Sequence, residues 1–241
     1  MPSVLVPPEP PDPDAPKVCI IDSGVQKRHP LIAPAVDAVS SYSYVGQPTD
    51  TADYVAQGGH GTKVAGLVLY HNDIPHRGES RAISWIQNVR VFDNNNQVPK
   101  KSSMAKNLSD IVCRYGQPVG GTRIFNHSIN STGVSRLQHM SVWAATMDGL
   151  AWTHDALFVV STGNTRRDAI TFGLTSEGYP NLLFRPAHRI ANPAQSLQAV
   201  TVGALALGGS EGNRQSIASP SMPSSDTRSG QAFGVPSSRK W

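Results

Sequence analysis

The segment Gly59-His60-Gly61-Thr62-Lys63-Val64-Ala65-Gly66 constrains this chain more than any other. A histidine between two glycines leads into the small and apolar run Thr62–Tyr70, which predicts a buried helix with His60 in its first turn. Upstream, Val18-Cys19-Ile20-Ile21 ends in Asp22-Ser23-Gly24, a short apolar run that predicts a buried parallel strand delivering a carboxylate at its C-terminal end. In an open α/β sheet, strand C-termini and helix N-termini share one edge, the edge where such folds keep their chemistry. The two blocks together set an acid, Asp22, against a base, His60.

At 241 residues with 39% hydrophobic content, the chain is long and apolar enough for one α/β domain with a real core. Its net charge of +4 comes from Lys and Arg that are scattered rather than clustered, so no nucleic-acid partner is expected. No apolar run reaches membrane-spanning length, so no membrane partner is expected either. Cys19 falls in a predicted buried strand and Cys113 in a predicted helix, without CxxC spacing; two reduced, packed thiols follow, and with them a reducing compartment. Residues 1–16 are rich in Pro and Asp and lack a basic start followed by an apolar core, so they read as a flexible lead-in and not as a secretory signal. A cytoplasmic location is the expectation.

Beyond these blocks the periodicity predicts strands over Val36–Tyr44, Arg81–Phe92, Arg123–Asn130 and Leu157–Val160, and helices over Ser102–Tyr115 and Ser135–Thr153. Ser102 or Ser103 is a plausible N-cap for the first of these helices. The polar loop Val45–Gly58 carries Asp50 and Asp53, two acids that could meet a metal but are ordinarily solvated, and no metal site is assigned. His29 precedes a proline in a predicted turn and competes with His60 as base, though histidine in that setting is ordinarily structural. The strand ending at Val160 opens into Ser161-Thr162-Gly163-Asn164, which presents an amide at the same sheet edge as the acid and base.

Ile20-Ile21-Asp22-Ser23-Gly24 and His60-Gly61-Thr62-Lys63-Val64-Ala65-Gly66 resemble the first two catalytic blocks of the subtilisin-like serine proteases, the subtilases, whose triad order is Asp, His, Ser. His29-Pro30-Leu31 is similar to the family's turn after the Asp block. Asn126 and Ser128 match its substrate-binding strand, with Ile129-Asn130 replacing the usual Leu-Gly; Gly163-Asn164 matches its oxyanion block, and Pro193-Ala194 with Val200–Ala204 its next strand. The resemblance implies a doubly wound, mostly parallel α/β sheet with helices on both faces. It also implies a polypeptide substrate, with Asp22 orienting, His60 as general base then acid, and Asn164 holding the oxyanion. Some intracellular subtilases lacking a propeptide are encoded beside an AAA-type ATPase, and the early Asp block is similar to that group; such an ATPase is the implied partner, and no cofactor is implied.

By motif the resemblance runs from Lys17 to Ala206, and the family's nucleophile block, G-T-S-x-[AS]-x-P, occurs nowhere in the chain. The expected organisation is a C-terminally incomplete peptidase domain over 17–209 and a disordered tail over 210–241, in which the residues after about Ser225 are what a shifted frame or a premature end would produce. Gly208-Gly209-Ser210-Glu211-Gly212 fits the nucleophile elbow of α/β-hydrolases, but no helix pattern and no later histidine follow it. Three functions stand against one another: a serine endopeptidase whose nucleophile is missing from this chain, a catalytically dead pseudoprotease that binds peptides along Arg123–Asn130 by strand addition, and a metal hydrolase using His60, His71 and His76. The last has spacings that suit neither one helical face nor a zinc pattern.

Overall fold

A computed structural model describes residues 6–56, 58–70, 80–117, 119–131, 138–164 and 181–203. The chain divides into two compact units: Met1–Ile129 with Val142–Val160 and Ser196–Val200, and Asn130–Ser141 with Ser161–Gln195 and Thr201–Trp241.

The sheet has six strands, β1 (Lys17–Asp22), β2 (Tyr42–Ser43), β3 (Trp85–Arg90), β4 (Ile124–His127), β5 (Leu157–Ser161) and β6 (Val200–Val202), in the order β2-β3-β1-β4-β5-β6. The pairings of β1 with β3 and β4, of β2 with β3, and of β4 with β5 are all parallel. From β1 the chain order rises outward through β4, β5 and β6 on one side, while β3 and then β2 lie on the other, which makes the C-terminal end of β1 a switch point of the kind where open α/β sheets hold their sites. Asp22 is the last residue of that strand.

The apolar run predicts this central position well, because only a strand covered on both faces needs to be apolar at consecutive residues. Val18 and Ile20 pack with Ala65 and Leu69 of helix α1 (His60–Tyr70) and with Ile86 of β3. Cys19 and Ile21 point to the opposite face and are fully buried, Cys19 lying near Tyr115 of helix α2 (Met104–Tyr115). Helix α2 buries Leu108, Ile111 and Val112 and packs on α3 (Val142–His154), which buries Ala144, Met147 and Ala151.

Several bounds differ from the periodicity. The strand expected over Val36–Tyr44 survives only at Tyr42–Ser43 and an isolated bridge from Val36 to Ile86. Between them Asp37 builds a local turn, accepting from the Ser40 amide at 3.1 Å on its side chain and from the Ser41 hydroxyl at 2.7 Å on its carbonyl, the competition with strand pairing that short polar side chains provide. Helix α3 starts at Val142 and not at Ser135; residues 138–141 are non-helical, and Leu137 lies outside the described residues. Its far end closes where predicted, with Asp155 in the left-handed region (φ 50°) and the Ala156 amide donating to the Ala151 carbonyl at 3.0 Å. Ser103 occupies the N-cap position of α2 in extended conformation without a side-chain cap bond. Cys113, expected to be packed, is exposed, because the apolar stripe of α2 runs through Leu108, Ile111, Val112 and Tyr115 and leaves position 113 on the solvent side; Cys19 is buried, and burial pushes its thiol far up.

The second unit is held by backbone and amide bonds. The Ser131 amide donates to the Asn192 carbonyl at 2.8 Å, the Thr162 amide to the Val202 carbonyl at 2.9 Å, and the Ala191 amide to the Thr162 carbonyl at 2.8 Å. Among the described residues no helix is long and apolar enough to cross a membrane.

Candidate active site

Asp22 leaves β1 with its side chain 2% exposed, and its Oδ2 lies 2.8 Å from Nδ1 of His60 at the start of α1. Three close approaches bring a strand end and a helix start together. Gly24, with φ +112°, lies so near the backbone of Thr51 and Ala52 that a Cβ would sit 2.7 Å from three of its atoms. At Gly61 a Cβ would lie 2.3 Å from the Gly24 carbonyl oxygen and 3.2 Å from Cβ of Asp22. The Gln26 amide then donates to the Thr62 hydroxyl at 2.9 Å, tying the chain after Asp22 to the first turn of α1. Glycine recurs in both motif blocks because side chains there would part the acid from the base.

A carboxylate is acceptor-only, so the hydrogen in the 2.8 Å contact belongs to Nδ1 of His60 and the lone pair to Nε2. The His60 side chain is 59% exposed, which leaves Nε2 open to take a proton. The hydrogen bond to Asp22 raises the His60 pKa above its ordinary value; desolvation and the Lys63 charge oppose this, and the charges of Asp22 and Asp53 add to it. The arrangement is a general base held in one tautomer by a buried acid.

Asp22 is itself held. Its Oδ1 accepts from the Ser23 amide at 2.7 Å and lies 3.1 Å from the Ser23 hydroxyl, which reaches Oδ2 of Asp53 at 2.9 Å. The expectation that Asp53 is merely solvated is therefore corrected. Its carboxylate is buried, with the amides of Val55 at 2.9 Å and Gly59 at 2.6 Å donating to it. A composition argument cannot find this residue, because the Ser23 hydroxyl that meets it follows β1, thirty positions away in sequence. Asp50 stays at the rim, accepting from the Tyr54 hydroxyl at 2.9 Å and lying 3.6 Å from the buried Arg90 guanidinium. Among the described residues no group of three or more His, Cys, Asp or Glu side chains gathers in metal-binding geometry.

The remaining candidates lie as follows. The Ser128 hydroxyl donates to Oδ1 of Asn126 at 2.7 Å. Strand addition along Arg123–Asn130 is corrected over β4, where Ile124–Asn126 pairs with Val18–Ile20 on one side and Ile124–His127 pairs with Leu157–Val160 on the other. Both backbone edges are used there, so no peptide can add. Asn164 is exposed in the second unit, one residue after Gly163, whose φ of +99° and approach to Ala191 (2.5 Å from a would-be Cβ to the Ala191 Cβ) fix the turn before it. His29 is exposed and its carbonyl accepts the amides of Ile32 and Ala33, a turn-forming role. His71, His76 and Ser210 fall outside the described residues.

The fold has counterparts among known proteins. The Subtilase family model matches residues 14–238, past Ala206 and through the segment after Ser225. A protein of Sinorhizobium fredii, y4bN, is 35% identical over 72 residues, covering 29% of this chain and 16% of its own. Among solved structures, the epidermin leader peptide processing serine protease of Staphylococcus aureus superposes with a TM-score of 0.51 at 20% identity, over 80% of this chain and 48% of its own. A psychrophilic protease designated S41 gives 0.53 at 19% identity (83% and 56%), and the MycP3 protease of a type VII secretion system 0.51 at 23% (80% and 53%). The chain thus spans about half the length of the solved proteases it matches.

Proposed function

Because the chain belongs to the subtilase family, we propose that it is a serine-type endopeptidase chain that supplies the acid and base of an Asp-His-Ser relay and lacks the serine among its 241 residues. The observation that carries this reading is the 2.8 Å contact between buried Asp22 and outward-facing His60. In the reaction His60 Nε2 takes the proton of a serine hydroxyl as the oxygen attacks the peptide carbonyl, then returns it to the leaving amine. Asp22 holds the ring and stabilises the imidazolium that forms between those steps. Asn164 is assigned to the oxyanion, and Asn126 and Ser128 to the substrate backbone, on their match to the family's motifs. Fluorophosphonate probes acylate only an activated serine, and on this reading the 241-residue chain takes no probe and does not hydrolyse casein. Stoichiometric labelling abolished by His60→Ala would place a nucleophile within these residues and overturn the reading.

A pseudoprotease that binds peptides is the second reading, favoured by the absence of any G-T-S sequence. Its peptide would have to bind elsewhere than β4, whose edges are both paired.

A further inference from the structure

Two buried carboxylates, Asp22 and Asp53, lie on either side of one hydroxyl, that of Ser23. The hydroxyl has a single proton for two acceptors, and the shorter contact, 2.9 Å against 3.1 Å, is to Asp53. Asp53 also accepts the amide of Gly59, at 2.6 Å, and Gly59 is the residue before His60. Gly59 is in the left-handed region at φ +79°, and its carbonyl accepts the first helical bond of α1, from the Lys63 amide at 2.9 Å. One carboxylate thus grips the residue after the acid and the residue before the base. Its own loop is fixed independently, since the Val25 amide and the Asn88 side chain both donate to the Thr51 carbonyl and the Gln26 side chain donates to the Asp53 carbonyl.

We infer that Asp53 is a positioning residue for the Asp22–His60 pair, acting on the acid through the Ser23 hydroxyl and on the base through the Gly59 amide. The inference rests on reading Asp22 and His60 as the acid–base pair. Loop packing uses both oxygens of Asp53, Oδ1 for the Val55 amide and Oδ2 for the Gly59 amide and the Ser23 hydroxyl, whereas a neutral amide has one acceptor oxygen. A carboxylate adds a second negative charge beside the imidazole, opposed among the charged groups of the described residues by Lys63 of α1. Three consequences follow for His60: its basicity, the lifetime of its Nδ1 proton, and the angle at which its helix starts all depend on Asp53.

The test is nuclear magnetic resonance of the whole chain, with the His60 signals assigned by their absence in His60→Ala. Asp53→Asn keeps the size of the side chain, removes the charge and turns one of its two acceptors into a donor, and is expected to lower the His60 titration midpoint by less than Asp22→Asn does. Asp50→Asn removes the other acid of the same loop and is expected to leave it unchanged. Ser23→Ala cuts only the arm to the acid, and is expected to broaden the low-field Nδ1 proton signal by exchange with water while the Gly59 amide stays protected. An unchanged midpoint in Asp53→Asn, an equal fall in Asp50→Asn, or an unchanged Nδ1 signal in Ser23→Ala would overturn the inference. None of these readouts requires turnover, so a chain that fails every activity assay still tests the role of Asp53. Conversely, an indifferent Asp53→Asn leaves the proposed activity standing.

Discussion

His127 is the residue whose replacement should change the acid tolerance of this protein most. It lies fully buried on β4, edge-on to the Trp143 ring at 5.2 Å between centroids, and among the described residues neither ring nitrogen meets a partner in hydrogen-bonding geometry. Desolvation dominates its titration and lowers its pKa from 6.5 to about 4, against smaller opposing effects of its own backbone, the Asp22 charge and the Ile129 backbone. The folded state therefore binds fewer protons than the unfolded state at acid pH, and stability falls as pH drops below the unfolded value. The full loss on reaching the folded value is about 3 kcal/mol, of which about 2 kcal/mol is already gone near pH 5. His60 works the other way: its raised pKa contributes stability below its unfolded value that is lost as pH rises through the folded one, so it offsets part of the loss. Replacing His127 by Phe retains a ring against Trp143 and removes two unpaired polar atoms, a change that is nearly neutral or stabilising when shape is kept. Urea unfolding at about pH 8 and about pH 5 should show the parent losing about 2 kcal/mol more than His127→Phe between the two conditions. Equal losses in both proteins would refute the assignment of acid lability to this residue.

Gly61→Ala should destabilise the chain by about 2 kcal/mol or more and lower the His60 pKa, because the added methyl meets the Gly24 carbonyl and Asp22 together. Gly66→Ala, in the same helix with open space at its Cβ, should raise stability by roughly 0.5–1 kcal/mol, and thermal unfolding of the pair separates contact from propensity. Arg90→Met should cost about 2–3 kcal/mol in urea unfolding, since the buried guanidinium donates to the Phe92 carbonyl at 3.2 Å and to Asn94 at 2.8 Å and lies 4.9 Å from the Tyr54 ring centroid.

The parts of the fold legible in sequence are those where one local pattern has one structural meaning. Val18–Ile21 could only be a strand covered on both faces, and His60 between glycines could only start a helix pressed against another backbone. Element limits read too long in sequence: the Asp37 turn interrupts the strand after Val36 through side-chain and backbone bonds that no apolar pattern reveals, and α3 begins seven residues after Ser135. Asp53 and His127 were passed over for a different reason. A polar loop and an alternating strand look the same whether their polar residue faces water or the core, and only the packing of β1, β4 and α3 decides which. The strand-addition surface reads too long likewise, over Ile124–His127, because a sequence does not say which strands lie on either side of it.

The central claim is that Asp22 holds His60 as a base, and the His60 titration in Asp22→Asn against the parent chain tests it directly. The parent should titrate above free histidine; Asp22→Asn, which loses both the charge and the acceptor-only partner, should titrate at least about one pH unit lower and lose the low-field Nδ1 proton signal. A His60 that titrates identically in both proteins would mean the two side chains are not paired in solution, and the account of the site would be wrong.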